Sequence, residues 1–125
     1  MPRIESILVK QKIPRKTLTL EFEDGDDIVQ GIKQAMTKHH IVEVKVDDVN
    51  GRLKEGAVNC MEGPKYKKVE IKDKGILRAS GTFKFGGGDL WGTLHVFTDG
   101  RKPISGTLVS GKAADGFQLK LSFVP

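Results

Sequence analysis

Apolar and polar residues alternate along most of the chain, and this period of two predicts β-strands. The clearest case is the last segment, where Phe117, Leu119 and Leu121 alternate with polar residues. Turn-forming residues such as Asn50-Gly51 and Asp99-Gly100 separate the alternating segments. The predicted strands span residues 3–11, 17–22, 41–47, 53–61, 66–72, 77–85, 90–96, 104–108 and 117–123.

One segment has a helical period instead. Ile28, Ile32, Ala35, Met36 and His39 recur at the spacing that places them on one face of a helix. Acidic residues precede this segment, where a carboxylate can accept hydrogen bonds from free N–H groups and faces the positive end of the helix dipole. The pattern predicts one helix over residues 26–40.

A glycine-rich segment, Gly86-Gly87-Gly88-Asp89, joins two of the alternating segments. It lacks the following Lys-Ser/Thr pair and helix of a phosphate-binding loop, so it is predicted to be the loop of a β-hairpin. The pairing that puts every apolar residue on one side of the sheet joins Phe85 to Leu90, Phe83 to Gly92 and Gly81 to Leu94. Leu77 and Ala79 extend the same apolar face, and Asp73-Lys74-Gly75 is predicted to be the turn before it.

The opposite face of this hairpin is polar but uncharged. Placing Ile104 and Leu108 of the next strand toward the core puts Ser105 and Thr107 beside His95 and Thr93. The candidate contact residues of this face are Ser80, Thr93, His95 and Thr107, with Trp91 and Phe97 at its ends. We expect another subunit to cover the face. The alternative is a small-molecule or metal site at the subunit interface, centred on His95.

The composition fits one soluble domain, residues 1–125, because 125 residues is a common domain size. The formal net charge of +5 makes nucleic acid a permitted partner. Lys65, Lys67 and Lys68, around Tyr66, form the densest basic segment. They are candidate phosphate contacts, and the alternative is that they protect a solvated strand edge from unwanted pairing.

Several classes of function are disfavoured. No apolar run is long enough to cross a membrane, and the N-terminal residues lack the apolar core of a secretion signal, so a cytoplasmic protein is expected. The single cysteine, Cys60, excludes an internal disulfide and a cysteine-rich zinc site. No recognisable motif joins a nucleophile to an acid and a base, so the chain is expected not to be an enzyme, and no cofactor is expected.

The order of the motifs resembles the plants-and-prokaryotes-conserved (PPC) domain, in its stand-alone prokaryotic form. The resemblance covers residues 18–123. Its matching segments are 25–28 at the helix start, 76–82, Gly87-Gly88 followed by 94–96, Asp99-Gly100, and 104–108 followed by Gly111. The resemblance implies an α+β fold, with a mostly antiparallel sheet of about seven or more strands packed against one main α-helix. It also implies a homotrimer.

Two features of the family do not carry over. Prokaryotic members often have histidines at the positions of Thr93, His95 and Thr107, and only His95 is kept here. A metal ion at His95 is therefore disfavoured, because one imidazole with two hydroxyls is a poor set for zinc. The alternative is a site completed by the His95 side chains of three subunits, if the trimer axis runs beside them. Plant members carry an AT-hook that binds DNA, and Pro14-Arg15-Lys16 is not one. The function predicted is a homotrimeric assembly or binding module, with DNA as a candidate partner through a basic surface.

Overall fold

A computed structural model of the protein describes residues 14–125, and the strand predicted at residues 3–11 lies outside them. Within the described range the fold is α+β, as the sequence predicts, with seven strands in one antiparallel sheet and one helix. The elements are β1 (Lys16–Phe22), α1 (Ile28–Lys38), β2 (Glu43–Asn50), β3 (Arg52–Glu62), β4 (Lys65–Gly86), β5 (Asp89–Thr98), β6 (Ser105–Ala113) and β7 (Phe117–Phe123).

The helix is shorter at both ends than the predicted residues 26–40. Asp27 keeps an extended backbone and caps the helix, because its side chain accepts a hydrogen bond of 2.9 Å from the Gln30 N–H. At the other end His40 adopts a left-handed φ of 55° and so leaves the helix. The apolar face packs into the core through Ile28, Ile32 and Met36, all fully buried.

The sheet order is β1-β7-β2-β4-β3-β6-β5, and β5 also pairs with β4. This closure is possible because the long strand β4 pairs with β3 through its first half and with β5 and β2 through its second half. Strands β3 to β6 therefore form a closed sheet. Its inner face surrounds a common core, and its outer face points away from that core. Inner residues such as Val58, Phe83 and Leu94 are buried, and α1 lies over the core beside β1 and β6.

The turn predicted at Asp73-Lys74-Gly75 is wrong, because the chain continues through these residues as part of β4. Asp73 takes a positive φ of 49°, and a register shift against β5 follows between Ile76 and Arg78. The strand bends here instead of ending. The bend lets one strand belong to both sides of the closed sheet.

Arg52 supports this bend from the start of β3. Its guanidinium donates to the Asp73 carboxylate at 3.1 Å, to the Asp73 carbonyl at 2.7 Å and to the Asp99 carboxylate at 3.4 Å. The Gly75 N–H also donates to Asp99, at 3.0 Å. The hydrogen bond to Asp73, followed by the attraction of its charge, raises the pKa of Arg52 above its ordinary value.

The β4–β5 hairpin has the predicted register, with Phe85 opposite Leu90, Phe83 opposite Gly92 and Gly81 opposite Leu94. The prediction for Leu77 is wrong: the bulge beside it buries Ile76 instead and leaves Leu77 58% exposed on the outside. Within residues 14–125, no helix combines the length and apolar character needed to cross a membrane.

Candidate functional site

The predicted contact residues share the outer face of β4, β5 and β6. Ser80 of β4 pairs with His95 of β5, and His95 pairs with Thr107 of β6. Thr93 lies two residues from His95 on β5 and pairs with Thr82. Ser80, Thr93 and His95 are exposed, and Thr107 is half-buried. The fold therefore brings the four candidate residues onto one surface.

His95 is oriented by its neighbour on β6. The Thr107 Oγ1 atom lies 3.2 Å from His95 Nδ1, a hydrogen-bonding distance whose direction depends on the tautomer of the ring. This contact leaves the Nε2 atom of His95 for another partner. Ser105 lies further along β6, opposite Phe97 rather than His95.

An open cavity of about 370 Å³ lies between Ser80, His95 and the neighbouring strand β2. Its lining residues are Asp47, Asp48, Arg78, Ala79, Ser80, His95, Val96, Phe97 and Ser105. Two of the four predicted site residues, Ser80 and His95, line the cavity. Thr107 contributes only by holding the His95 ring, and Thr93 does not line the cavity.

The charged side chains of this cavity were not predicted from the sequence. Arg78 places its guanidinium carbon 4.9 Å from the centre of the Phe97 ring, in a cation–π contact. Asp47 and Asp48 enter from β2. Only the pairing of β2 with β4 brings these carboxylates beside Ser80, and that pairing joins segments too distant in sequence to be read from local alternation.

The donor set around His95 does not fit a metal ion. Among residues 14–125, no group of three or more His, Cys, Asp or Glu side chains is placed to hold one. The neighbours of the His95 imidazole within the β4–β6 ladder are the hydroxyls of Ser80 and Thr107. Hydroxyls are weak ligands for zinc, so the β4–β6 ladder offers one good ligand per chain, and Asp47 and Asp48 of β2 are not grouped with it closely enough to hold a metal ion.

The outer face also exposes large apolar side chains. Trp91 is 64% exposed, Leu77 58% and Val109 45%. The Trp91 ring is fixed by a hydrogen bond of 3.1 Å from its Nε1 atom to the Gly86 carbonyl. A fixed, exposed indole is typical of an interaction surface, because it buries a large apolar area at little entropic cost.

The lysine segment lies at the end of the β3–β4 hairpin. Pairing between β3 and β6 ends at Asn59, whereas β3 and β4 continue to pair as far as Glu62 and Lys65, so the hairpin extends beyond β6 as a two-stranded ribbon. Lys65, Lys67 and Lys68 are all exposed on it. Strand alternation places Lys65 and Lys67 on one face and Lys68 on the other, and Lys67 lies 3.7 Å from the Glu62 carboxylate.

The motif order, the single helix and the closed antiparallel sheet agree with one family. The sequence profile of the Plants and Prokaryotes Conserved (PCC) domain, which is also abbreviated PPC, matches residues 10–121. The chain belongs to this family. The match spans nearly the whole chain, so the family assignment covers the helix, the bent strand β4 and the β4–β5 hairpin.

Solved structures of the same fold come from archaea and bacteria. A PPC protein of Pyrococcus horikoshii is 18% identical, with a TM-score of 0.76 over 94% of this chain and 85% of that one. A metal-containing protein of Archaeoglobus fulgidus is 17% identical, with a TM-score of 0.70 over 89% and 79%. A candidate DNA-binding protein of Ralstonia eutropha JMP134 is 14% identical, with a TM-score of 0.70 over 87% and 76%.

At these identities the likeness establishes the fold alone. The comparison with curated protein sequences gave no match. The function of the PCC domain in this chain therefore has to be argued from its own surfaces.

Proposed function

We propose that this PCC-domain protein is a homotrimeric binding module whose subunits meet through the outer face of β4, β5 and β6. The observation that carries the proposal is the group of exposed apolar residues on this face, namely Leu77, Trp91 and Val109. Between them lie the uncharged side chains of Thr93 and Thr107. Burial of such a surface in water is favourable at about 25 cal/mol per Å² of apolar area.

Variants at this face test the interface. Trp91→Glu and Val109→Glu place a charge where the proposal buries an apolar side chain, so each is expected to lower the molar mass measured by light scattering. Val124→Glu is the matched control, because Val124 is 51% exposed but lies beyond β7. Masses that stay the same in all three variants would exclude this face as the contact.

The partner we propose for the module is DNA, bound through the lysine ribbon of the β3–β4 hairpin. Support comes from the net charge of +5 and from the exposure of Lys65, Lys67 and Lys68. A two-stranded β-ribbon fits the major groove in width, and lysines on both of its faces can reach the phosphates that flank the groove.

A mobility-shift titration at two salt concentrations tests DNA binding. Replacing all three ribbon lysines by Gln is expected to weaken binding at low salt by roughly ten-fold or more, and to make the salt dependence shallower by about one unit for each phosphate that the variant no longer neutralises. Replacing the exposed Lys38, Lys102 and Lys120 by Gln is the control, because it removes the same charge elsewhere. No binding by the wild type at low salt contradicts the proposal.

A second candidate function is the binding of a small molecule in the cavity beside Ser80 and His95. The specific observation is the convergence of hydroxyl, imidazole, guanidinium and carboxylate groups around one cavity of about 370 Å³. The trimer would enclose this cavity if the outer face is the interface. Retention of bound ligand by purified wild-type protein, and its loss in His95→Ala, is the expected result.

We expect no catalytic activity at this site and a cytoplasmic location. The expectation about catalysis rests on the side chains themselves. Ser80 and His95 lie on neighbouring strands, but the imidazole nitrogen Nδ1 that a carboxylate would orient in a hydrolytic triad contacts the Thr107 hydroxyl instead.

A further inference from the structure

We propose that the cavity beside His95 binds a small zwitterion, a molecule that carries a carboxylate and an ammonium group several bonds apart. This inference rests on the second candidate function above and adds the chemical class of its ligand. It follows from the separation of positive and negative side chains on opposite sides of the cavity.

The positive side is Arg78. Its guanidinium lies over the Phe97 ring, 4.9 Å from the centre. Among the described residues, no carboxylate lies within ion-pairing distance of Arg78, although Asp47 and Asp48 line the same cavity. A guanidinium that contacts an aromatic ring can still donate its N–H groups, and their planar fork matches a carboxylate.

The negative side is formed by β2. Asp48 already accepts a hydrogen bond of 2.8 Å from the Val49 N–H, which leaves Asp47 as the freer carboxylate. Asp47 follows Val46, which pairs with Gly81, so Asp47 lies near Ser80 on the next strand. Such a carboxylate, with a serine hydroxyl beside it, suits an ammonium group.

Strand geometry gives the scale of the separation between the two backbone positions that carry the charges. Adjacent strands lie about 4.8 Å apart, and two residues advance about 6.8 Å along a strand. Asp47 is one strand from β4, and Arg78 is two residues from Ser80, so their backbones lie roughly 8 Å apart on this geometry. The Arg78 guanidinium lies over Phe97 on β5, whereas Asp47 lies on β2 at the opposite edge of β4, so a ligand that reaches both needs charges several bonds apart, as in an ω-amino acid or a dipeptide.

Besides Arg78 and Asp47, the lining of the cavity contains imidazole and hydroxyl groups that can form hydrogen bonds. His95 is held at Nδ1 by Thr107 and directs Nε2 away from that contact. Ser80 and Ser105 add hydroxyls to the same lining. These groups suit the polar middle of a dipeptide.

Calorimetric titration of the full-length protein with three matched compounds tests the proposal. The compounds are δ-aminovalerate, which carries both charges, valerate, which lacks the ammonium, and pentylamine, which lacks the carboxylate. We expect δ-aminovalerate to bind at least ten-fold more tightly than either of the others. Arg78→Gln should remove its advantage over pentylamine, and Asp47→Asn its advantage over valerate.

Two exposed charges outside the cavity provide the controls. Arg101→Gln and Asp115→Asn make the same chemical changes in turns and should leave all three affinities unchanged. If valerate binds as tightly as δ-aminovalerate, and His95→Ala weakens both, the cavity is a ligand site but the zwitterion class is wrong. If δ-aminovalerate shows no binding to the wild type at tens of millimolar, the inference is overturned, and ligand retention by purified protein still tests the second candidate separately.

Discussion

At the residue scale, Gly92 sets how closely β5 approaches β4. Its φ is +150°, and a Cβ atom at this position would collide with the Thr82 carbonyl and lie 2.8 Å from atoms of Phe83. The pairing of Phe83 with Gly92 could be predicted from sequence, because a large ring needs a small partner. The stacking of Arg78 on Phe97 could not, because the bulge at Leu77 changes the phase of the alternation.

Gly92→Ala should therefore be strongly destabilising. The added methyl group strains the backbone and forces the two strands apart, and we expect a loss of about 2–4 kcal/mol in the free energy of unfolding. Gly88→Ala is the control, with φ +88° but open space around the missing side chain, and should cost about 1 kcal/mol. Chemical denaturation measures the free energy of unfolding of both variants. Equal losses would contradict a specific cost of placing a Cβ atom between β5 and β4 at Gly92.

At the element scale, the bent strand β4 organises the sheet, since among the strands of residues 14–125 it is the one that pairs with three others, β2, β3 and β5. The sequence predicts its two halves as separate strands, because Asp-Lys-Gly is an ordinary turn composition. The difference arises from contacts distant in sequence: Arg52 and Asp99 hold Asp73 and Gly75 within the sheet. Local patterns contain no information about such contacts.

Arg52→Gln should lower the melting temperature because it removes hydrogen bonds that join β3, the bend in β4 and the turn after β5. Lys54→Gln is the matched control. Both side chains are about half exposed, but Lys54 forms an ion pair of 2.9 Å with Asp24, whereas Arg52 donates to two carboxylates and to a main-chain carbonyl. A thermal melt followed by circular dichroism compares the two variants. The role assigned to Arg52 is contradicted if both melt at the wild-type temperature.

At the scale of the whole molecule, the closed sheet has a buried inner face and an outer face on which exposed apolar residues and hydroxyl groups lie among a few charged residues, such as Arg78 and Lys84. The sequence predicts that Ser80, Thr93, His95 and Thr107 share this face, and the strand pairing agrees. The carboxylates of the cavity, Asp47 and Asp48, come from β2, and local sequence patterns do not predict that β2 lies beside this face. The same face therefore serves both proposals, as subunit contact and as the wall of a ligand cavity.

The central proposal, self-association through this outer face, is tested most directly by the molar mass of the wild-type protein in solution. Light scattering coupled to gel filtration at micromolar concentration should give about three times the chain mass of 13.8 kDa. Trp91→Glu should shift the mass toward that of one chain. A wild-type mass of a single chain at that concentration would contradict both the trimer and the assignment of Trp91 to a subunit contact.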